Sequence, residues 1–261
     1  MKVLVTGAGG SIGRALGRGL PEHGHELRGL DLVGGPPVGY EDDWIVGDCL
    51  DPEVAGAAVR GVEAVVHLAG SPDEASLPAA LESHVHTTGR LLEAMVAHGV
   101  ERIAYASSNH AVGRTPHDSP LTTDARPRPD TFYGTAKVAA EALLSLYVDR
   151  FGVGAVAMRI GSFEDAPESI RQLSTWLSPA DAVRMVDAAI RHPAPGYTVI
   201  HGISANTRGW WDLEPGRSIG FDPQDDAEDF AGSIEPRTED DVENAFVGGP
   251  HVTSDFVRPA F

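Results

Sequence analysis

The sequence predicts an α/β fold in which a doubly wound parallel sheet carries helices on both faces. Short apolar runs, such as residues 3–6 and 103–106, are typical of strands buried in a parallel sheet. The stretches between them, such as 131–151, have apolar residues at helical spacing. The first apolar run leads directly into a glycine-rich turn over residues 7–13. Alternating strands and helices within 261 residues indicate one α/β domain.

The composition narrows the classes of partner. A net charge of −18 argues against binding to nucleic acid or to anionic membranes. The single cysteine, Cys49, allows no intrachain disulfide and no multi-cysteine site, and we expect no metal. No apolar run approaches membrane-spanning length and no charged leader precedes the first strand, so we expect a cytoplasmic protein. The acidic composition fits either a high-salt habitat or a genome that favours arginine codons.

The glycine-rich turn predicts a dinucleotide site. Gly7, Gly10 and Gly13 follow the first strand and open a helix. Missing side chains let the backbone approach a pyrophosphate, whose charge the helix N-terminus stabilises. We expect Ser11 and Ile12 to contribute to the same contact. The alternative is a glycine-rich turn without a ligand.

Residues at the ends of the next strands extend this site. Asp31 ends the second strand at the offset where a carboxylate binds the adenosine ribose hydroxyls, and it would repel a 2′-phosphate. The expected cofactor is therefore NAD. Asp48, after the third strand, is placed to bind the adenine amino group or to cap the helix that begins at Pro52. The other expected cofactor contacts are Cys49, Leu68, Ala69, Gly70, Tyr133, Lys137 and Ile160.

Tyr133 and Lys137 lie four residues apart in a predicted helix, which Thr131 or Asp130 can cap and Gly152 can end. The spacing places both side chains on one helical face. A lysine ammonium lowers the pKa of a neighbouring phenol, and such a tyrosine can take a proton from an alcohol. The alternative is a surface lysine beside a core tyrosine. The chain has two lysines against eighteen arginines, which favours a functional role for Lys137.

Polar residues follow the predicted fifth strand. Ser107 and Ser108 end that strand, and Asn109 and His110 come next. Strand alternation sends the two serines to opposite faces, so at most one of them meets a substrate. Polar groups at the carboxyl end of a parallel strand predict a ligand-binding cleft. We expect His67, inside the fourth strand, to be a packed and hydrogen-bonded histidine.

The remaining elements continue the alternation. Ser178 and Pro179 are a capping residue and a first-turn proline for a helix that runs to about residue 191. The sequence also predicts a strand that runs into a small-residue loop over residues 64–70, strands at 153–160 and 197–200, and a long helix at 77–98.

The order of these motifs resembles the extended short-chain dehydrogenase/reductase family. The motifs are the glycines at 7, 10 and 13, the acids at 31 and 48, the serine that ends the fifth strand and the Tyr-x-x-x-Lys pair. The resemblance covers residues 1 to about 165 and implies a Rossmann fold. It implies that Ser108 orients a substrate hydroxyl and that Tyr133 is the catalytic base. It also implies that Lys137 binds the nicotinamide ribose and lowers the pKa of the tyrosine.

Four segments, at 107–110, 159–162, 174–178 and 204–212, resemble the uronate dehydrogenases over nearly the whole chain. This resemblance implies NAD-dependent oxidation of the C1 hydroxyl of galacturonate or glucuronate to the aldarolactone. It implies that Arg171 binds the C6 carboxylate, which a guanidinium matches bidentately. The alternative for that arginine is a surface salt bridge. The expected substrate contacts are Ser71, Ser108, Asn109, His110, Tyr133, Ser162 and Arg171.

Departures from the family pattern keep other functions open. The run at 69–74, His84 and the pair at 114–115 differ from the usual family residues. These changes cluster near the substrate, so an aldose 1-dehydrogenase acting on neutral arabinose or galactose, with NAD or NADP, is an alternative. A dehydratase would need an acid where Asn109 and His110 stand, and an epimerase usually has a longer carboxyl-terminal half. A non-catalytic NAD-sensing regulator usually lacks the tyrosine or the lysine.

We expect residues 1–261 to form one domain. Residues 1–165 are the predicted NAD-binding Rossmann core, and residues 166–261 are a small carboxyl-terminal, substrate-binding part. By analogy with related enzymes, the long helices at 77–98 and 131–151 can pair between subunits, and we expect a homo-oligomer.

Overall fold

The computed structural model describes residues 1–193, 196–253, 256 and 258–261. The strands are β1 (Lys2–Thr6), β2 (Glu26–Asp31), β3 (Trp44–Val46), β4 (Ala64–His67), β5 (Arg102–Ser108), β6 (Gly154–Ile160), β7 (Ser162–Phe163), β8 (Trp176–Leu177) and β9 (Tyr197–Gly202). The α-helices are α1 (Ser11–Gly19), α2 (Pro52–Val59), α3 (Leu77–Leu81), α4 (Thr87–His98), α5 (Phe132–Phe151), α6 (Gln172–Thr175), α7 (Pro179–Arg191), α8 (Glu214–Ser218) and α9 (Asp240–Asn244).

Across the described residues, seven strands form one parallel sheet in the order β3-β2-β1-β4-β5-β6-β9. β7 and β8 pair separately, also in parallel. Chain order reverses between β1 and β4, and this switch point opens a crevice at the carboxyl ends of the strands. The predicted α/β class with a doubly wound parallel sheet is confirmed. The division of the chain at residue 165 stays a prediction.

Two apolar cores cover the faces of the sheet. On one face, α1 and α7 bury residues such as Leu16 and Met185 against the strands. On the other face, α2, α4 and α5 bury residues such as Ala58, Leu91 and Leu144. Both faces are covered, which explains why the central strands read as continuous apolar runs rather than as alternating ones.

The helix expected at 77–98 forms as three consecutive segments. A π-helical turn, Glu82–His86, joins α3 to α4. Such a turn inserts an extra residue into the helical repeat and is frequent at functional sites. It lies in the stretch that holds His84, which is buried.

Capping residues fix the start of two helices. Thr131 rather than Asp130 caps α5, because its Oγ1 accepts the Gly134 N–H at 2.8 Å. Gly152, in the left-handed region at φ +72°, ends the helix as expected. Asp51, not Asp48, caps α2 by accepting the Glu53 N–H at 2.8 Å. The capping role considered for Asp48 is therefore wrong.

The chain after β9 returns toward the carboxyl edge of the sheet. Val247 packs with Val112, Leu121, Ile203 and Trp211 in a separate apolar cluster. The backbone also pairs, because Val247 N donates to Thr115 O at 3.1 Å. The carboxyl-terminal segment therefore reaches the region around β5. No helix in the described part of the chain is long and apolar enough to cross a membrane.

Candidate active site

A cavity of about 910 Å³ opens at the carboxyl edge of the sheet, beside the switch point. Its walls come from the glycine-rich turn, from the ends of β2, β4 and β5, and from the first turns of α5. All the expected cofactor residues line it: Gly7, Gly10, Ser11, Ile12, Gly13, Asp31, Asp48, Cys49, Leu68, Ala69, Gly70, Tyr133, Lys137 and Ile160. The fold therefore brings together residues that lie far apart in the sequence.

The glycine-rich turn is closed by backbone contacts that exclude side chains. Gly7 has φ +68°, and a Cβ there would lie 2.8 Å from Ala69 N. A Cβ on Gly13 would lie 2.6 Å from the Ala8 carbonyl oxygen. The turn therefore presents backbone rather than side chains at the N-terminus of α1. This arrangement fits the pyrophosphate of a dinucleotide.

Asp31 secures the turn and faces the same cavity. Its Oδ2 accepts the Gly9 N–H at 2.8 Å, and its Oδ1 accepts the Leu32 N–H at 2.8 Å. Two backbone donors fix the position of the carboxylate, and each oxygen keeps further acceptor capacity. A fixed carboxylate suits two ribose hydroxyls and disfavours a 2′-phosphate.

Ser108, Tyr133 and Lys137 meet at the inner end of the cavity. Lys137 Nζ donates to Ala106 O at 2.6 Å and lies 5.3 Å from the centroid of the Tyr133 ring. Ser108 Oγ donates to Asn109 Oδ1 at 3.2 Å. A hydrogen bond to Ser108 also lowers the pKa of Tyr133. One helix and one strand thus position the three side chains.

Burial dominates the electrostatics of the pair. It raises the pKa of Tyr133 to about 12, against the opposing effect of Ser108. It lowers the pKa of Lys137 to about 7, against the opposing effect of Glu141. The net lowering of the tyrosine pKa that the spacing of Tyr133 and Lys137 predicted is wrong, because burial raises this pKa. Desolvation of the phenol outweighs the attraction of a lysine that burial tends to neutralise.

Four expected substrate residues lie outside this cavity wall. Asn109 Nδ2 and Arg171 Nη2 both donate to Val247 O, at 3.4 and 2.6 Å. Ser162 Oγ shares a hydrogen bond with Thr175 Oγ1 at 2.9 Å. The fourth, His110, stands beside Tyr133. Ser71, by contrast, lines the cavity as expected.

Arg171 is buried, so the alternative prediction, a salt bridge at the surface, is wrong. Its Nε is buried without a hydrogen-bond partner in the described part of the chain. Burial lowers the pKa of Arg171, and the charges of Glu243 and Asp130 oppose that effect. The guanidinium is therefore a desolvated cation that has unused donor capacity.

His110 belongs to a cluster that spacing did not reveal. Its Nδ1 is 2.9 Å from Asp130 Oδ2, and the Asp130 side chain is fully buried. Its ring centroid is 5.9 Å from that of Tyr133 and 4.6 Å from that of His251. The carboxylate fixes the orientation of the imidazole, because Nδ1 is held as its donor.

Two further neighbours of Tyr133 were missed. The Glu74 carboxylate accepts the Phe132 N–H at 2.8 Å and the Tyr133 N–H at 2.9 Å. The His84 ring centroid is 5.0 Å from that of Tyr133, and burial lowers the pKa of this histidine to about 3. About sixty residues separate Glu74 from the helix it caps, so only the fold brings them together.

Ser107, the neighbour of Ser108, belongs to a buried polar network. Ser107 Oγ donates to Glu141 Oε1, and Arg159 Nη2 donates to Glu141 Oε2 at 2.8 Å. The two serines therefore have different partners, although both line the cavity, and their placement on opposite faces of the strand stays a prediction. His67 is buried as expected, with Nδ1 2.7 Å from Thr6 Oγ1.

Comparisons with known proteins agree with this geometry. The model of the NAD dependent epimerase/dehydratase family matches residues 3–169. A uronate dehydrogenase from Agrobacterium fabrum is 37% identical over 91% of this chain and 89% of its own. An NAD-dependent glucose-6-phosphate dehydrogenase from Haloferax volcanii is 34% identical over 91% of this chain and 98% of its own.

The structural comparison extends to the carboxyl-terminal part. The crystal structure of a mutant uronate dehydrogenase from Agrobacterium tumefaciens, complexed with NAD, superposes with a TM-score of 0.91 at 36% identity. It covers 98% of each chain. The family model matches more than half of this chain, and the relatives are more than 30% identical over most of it. The chain therefore belongs to the NAD dependent epimerase/dehydratase family.

Proposed function

We propose that this protein is an NAD-dependent sugar dehydrogenase that oxidises the C1 hydroxyl of galacturonate or glucuronate to the aldarolactone. One observation carries the proposal: Ser108, Tyr133 and Lys137 converge on the cavity whose other end holds the glycine turn and Asp31. The uronate dehydrogenase relatives, which match over nearly the whole chain, support the choice of substrate.

The three catalytic residues divide the work at the C1 hydroxyl. Ser108 binds that hydroxyl, and the Tyr133 phenolate takes its proton as C1 loses hydride. Lys137 stabilises the phenolate. Because burial raises the pKa of this tyrosine, a neighbouring positive charge is what makes the phenolate accessible. NAD, when bound, supplies the hydride acceptor.

The remaining proposed contacts orient the sugar. Arg171, buried and with an unpaired Nε, binds the C6 carboxylate. His110, oriented by the buried carboxylate of Asp130, exchanges a hydrogen bond with a sugar hydroxyl through its Nε2. Asn109, Ser162 and Ser71 complete the set. Asp31, which lies where a 2′-phosphate would meet its charge, selects NAD over NADP.

Glucose 6-phosphate is a second candidate substrate. The Haloferax volcanii relative is named for that sugar phosphate and is matched over 98% of its length. A uronate and a sugar 6-phosphate both carry an anion on C6, and an arginine binds either anion. The loop at residues 69–74 differs from the family pattern near the substrate, so neutral aldoses are tested as well.

The test is NADH formation at 340 nm with galacturonate, glucuronate, glucose 6-phosphate, galactose and arabinose, at low and at molar potassium chloride. We expect turnover with the two uronates and none with galactose or arabinose. Turnover with glucose 6-phosphate alone would move the assignment to a sugar phosphate. Turnover with neutral sugars alone would remove Arg171 from substrate binding. No turnover at either salt concentration would refute the sugar dehydrogenase.

We also propose a cytoplasmic homo-oligomer. Exposed apolar side chains on α4 and α5 support the assembly: Val96, Leu146 and Phe151 are 39%, 40% and 52% exposed. Light scattering should give a multiple of 27.5 kDa, and Leu146→Glu should shift it toward the monomer. Fractionation of the producing cells tests the compartment.

A further inference from the structure

Lys137 is buried, and its charge is the property that the proposed reaction needs. The side chain is 4% exposed, and Nζ donates to Ala106 O at 2.6 Å. The rings of Tyr105 and Tyr133 lie 4.9 and 5.3 Å from it. One carbonyl and two ring faces replace water poorly, so burial favours the neutral amine. A further group is needed to keep the ammonium charged.

Glu141 stands one helical turn beyond Lys137 on α5. Residues 133, 137 and 141 repeat at four-residue intervals, so Tyr133, Lys137 and Glu141 share one face of the helix. Glu141 is 5% exposed. This carboxylate is outside the cavity wall and takes no part in the chemistry described above.

The carboxylate is held in place by three donors. Ser107 Oγ and Arg159 Nε donate to Oε1, the latter at 3.0 Å, and Arg159 Nη2 donates to Oε2 at 2.8 Å. A bidentate arginine makes short, charge-assisted hydrogen bonds to a carboxylate and fixes its position. The helix and β6 together therefore fix a buried negative charge close to the lysine.

We propose that Glu141 is a positioning residue that acts through Lys137, holding the ammonium charged by its fixed negative potential. The inference rests on the proposed function for its catalytic meaning, although the electrostatic effect itself does not depend on any substrate. Burial lowers the pKa of Lys137, and the negative charge of Glu141 raises it again.

The other groups around Lys137 do not supply a negative charge. His67 and His84 are both held neutral by burial, which lowers the pKa of each to about 3. Burial also raises the pKa of Tyr105 well above its ordinary value, so that phenol stays neutral. The charged or titratable groups that face the lysine from α5, from the strands and from the π-helical turn are Tyr133, Glu141, Tyr105, His67, His84 and Arg159.

The lysine content of the chain allows a direct measurement. The sequence contains two lysines, Lys2 and Lys137. Protein grown on lysine labelled with ¹³C at the ε carbon gives two NMR signals, and Lys2→Arg identifies one of them. Each signal moves when its Nζ loses a proton, so the titration of Lys137 is read in the free protein without substrate or cofactor.

We expect the Lys137 signal to titrate near pH 7 in the unaltered protein. Glu141→Gln should lower that midpoint by about one pH unit, a tenfold loss of proton affinity. Glu141→Asp should restore most of the Glu141→Gln shift, since it returns the charge. Asp181→Asn removes another buried carboxylate paired with an arginine, and should leave the midpoint unchanged.

The double variant Glu141→Gln/Arg159→Gln separates a direct from an indirect effect. A midpoint that stays below that of the unaltered protein supports the direct charge. A return to the unaltered midpoint would mean that Glu141 only neutralises Arg159, and would overturn the proposal. A folded Glu141→Gln protein whose midpoint moves by less than about 0.3 pH unit would overturn it too. If that variant does not fold, the double variant, which leaves no buried charge without its partner, decides the question by the same two outcomes.

Turnover gives a second, separate readout. With an active substrate, loss of the Lys137 proton should lower kcat on the alkaline side, and Glu141→Gln should move this limb to lower pH by the same amount. Failure of every sugar in the assay would refute the proposed function while leaving the NMR result intact. A normal Lys137 titration in Glu141→Gln would refute this inference while leaving the uronate assignment intact.

Discussion

The carboxylate of Glu74 accepts the backbone N–H of Tyr133 at 2.9 Å, so a loop after β4 caps the helix that carries the proposed base. The same side chain accepts the Phe132 N–H at 2.8 Å. Both donors belong to the first turn of α5, where an acidic group is favoured by the unpaired amides and by the helix dipole. Glu74 therefore ties the placement of Tyr133 to the loop that differs from the family pattern.

Replacing Glu74 by alanine should lower both stability and turnover. The lost cap should reduce the free energy of unfolding by about 1 kcal/mol, and displacement of Tyr133 should lower kcat about tenfold. Asp51→Ala is the matched control, because it removes the carboxylate cap of α2 and does not touch the cavity. Urea unfolding and initial rates check both values. Equal losses of kcat in the two variants would show that Glu74 does not position Tyr133.

Tyr133→Phe should abolish turnover while leaving NAD binding intact. The change removes the phenol oxygen and keeps the ring that packs against His84 and His110. Loss of a general base costs roughly 10²- to 10⁴-fold in rate. Rates at 340 nm and the dissociation constant for NAD measure the two effects. Activity that survives this substitution would show that another group takes the proton.

Asp31→Ala should weaken NAD binding and reduce the preference of the enzyme for NAD over NADP. The variant loses the carboxylate that accepts the Gly9 N–H and faces the predicted ribose position. A hydrogen bond to a charged group contributes about 1.5–3 kcal/mol, so KM for NAD should rise at least about tenfold. KM for NADP should fall or stay constant, since a repulsive charge is removed. A parallel rise in both KM values would place Asp31 in the fold of the turn only.

Arg171→Gln should raise KM for uronates and leave NAD binding unchanged. The loss of a charge-assisted contact to the C6 anion corresponds to about a tenfold or larger increase. The substitution also removes the bond to Val247 O, so the dissociation constant for NAD and the urea unfolding midpoint serve as internal standards for the fold. Arg184→Gln, on α7, is the matched control for loss of an arginine. An unchanged KM for galacturonate would show that another group binds the carboxylate.

Acidic pH should destabilise the protein partly through His67. Burial lowers the pKa of this histidine to about 3 in the folded protein, below its ordinary value of 6.5. The unfolded chain therefore binds the extra proton first, and stability is lost as the pH falls from about 6.5 toward 3. Between pH 7 and pH 5, the titration of His67 alone should lower the free energy of unfolding by about 2 kcal/mol.

Urea unfolding of the unaltered protein and of His67→Gln at both pH values tests that contribution. Glutamine can keep one hydrogen bond to Thr6 or Thr88 but does not titrate. The difference in stability between pH 7 and 5 should be smaller in the variant by about 2 kcal/mol. An identical difference in the two proteins would mean that His67 is protonated in the folded state.

Local patterns in the sequence account for the framework of the site. The glycine turn, Asp31 at the end of β2 and the caps of α5 are decided by short-range sterics and hydrogen bonds, which neighbouring residues reveal. Tyr133 and Lys137 share a helical face for the same reason. These features were predicted with bounds within about two residues of those observed.

Long-range contacts were not visible in the same way. Glu74 caps α5, Asp130 holds His110, and Val247 O meets both Asn109 and Arg171, each across a wide gap in sequence. The lowered pKa expected for Tyr133 failed for a related reason. Proximity of the lysine could be inferred from spacing, but the depth of burial that raises the pKa could not.

The sequence by itself determined the α/β class, the dinucleotide turn and the serine, tyrosine and lysine of the proposed reaction, because each depends on residues within one element or one turn. Only the tertiary structure decided which polar groups surround that set and how strongly water is excluded from it. The protonation of Lys137 is decided by the tertiary structure. It depends on a buried carboxylate, Glu141 of α5, which Arg159 binds from β6.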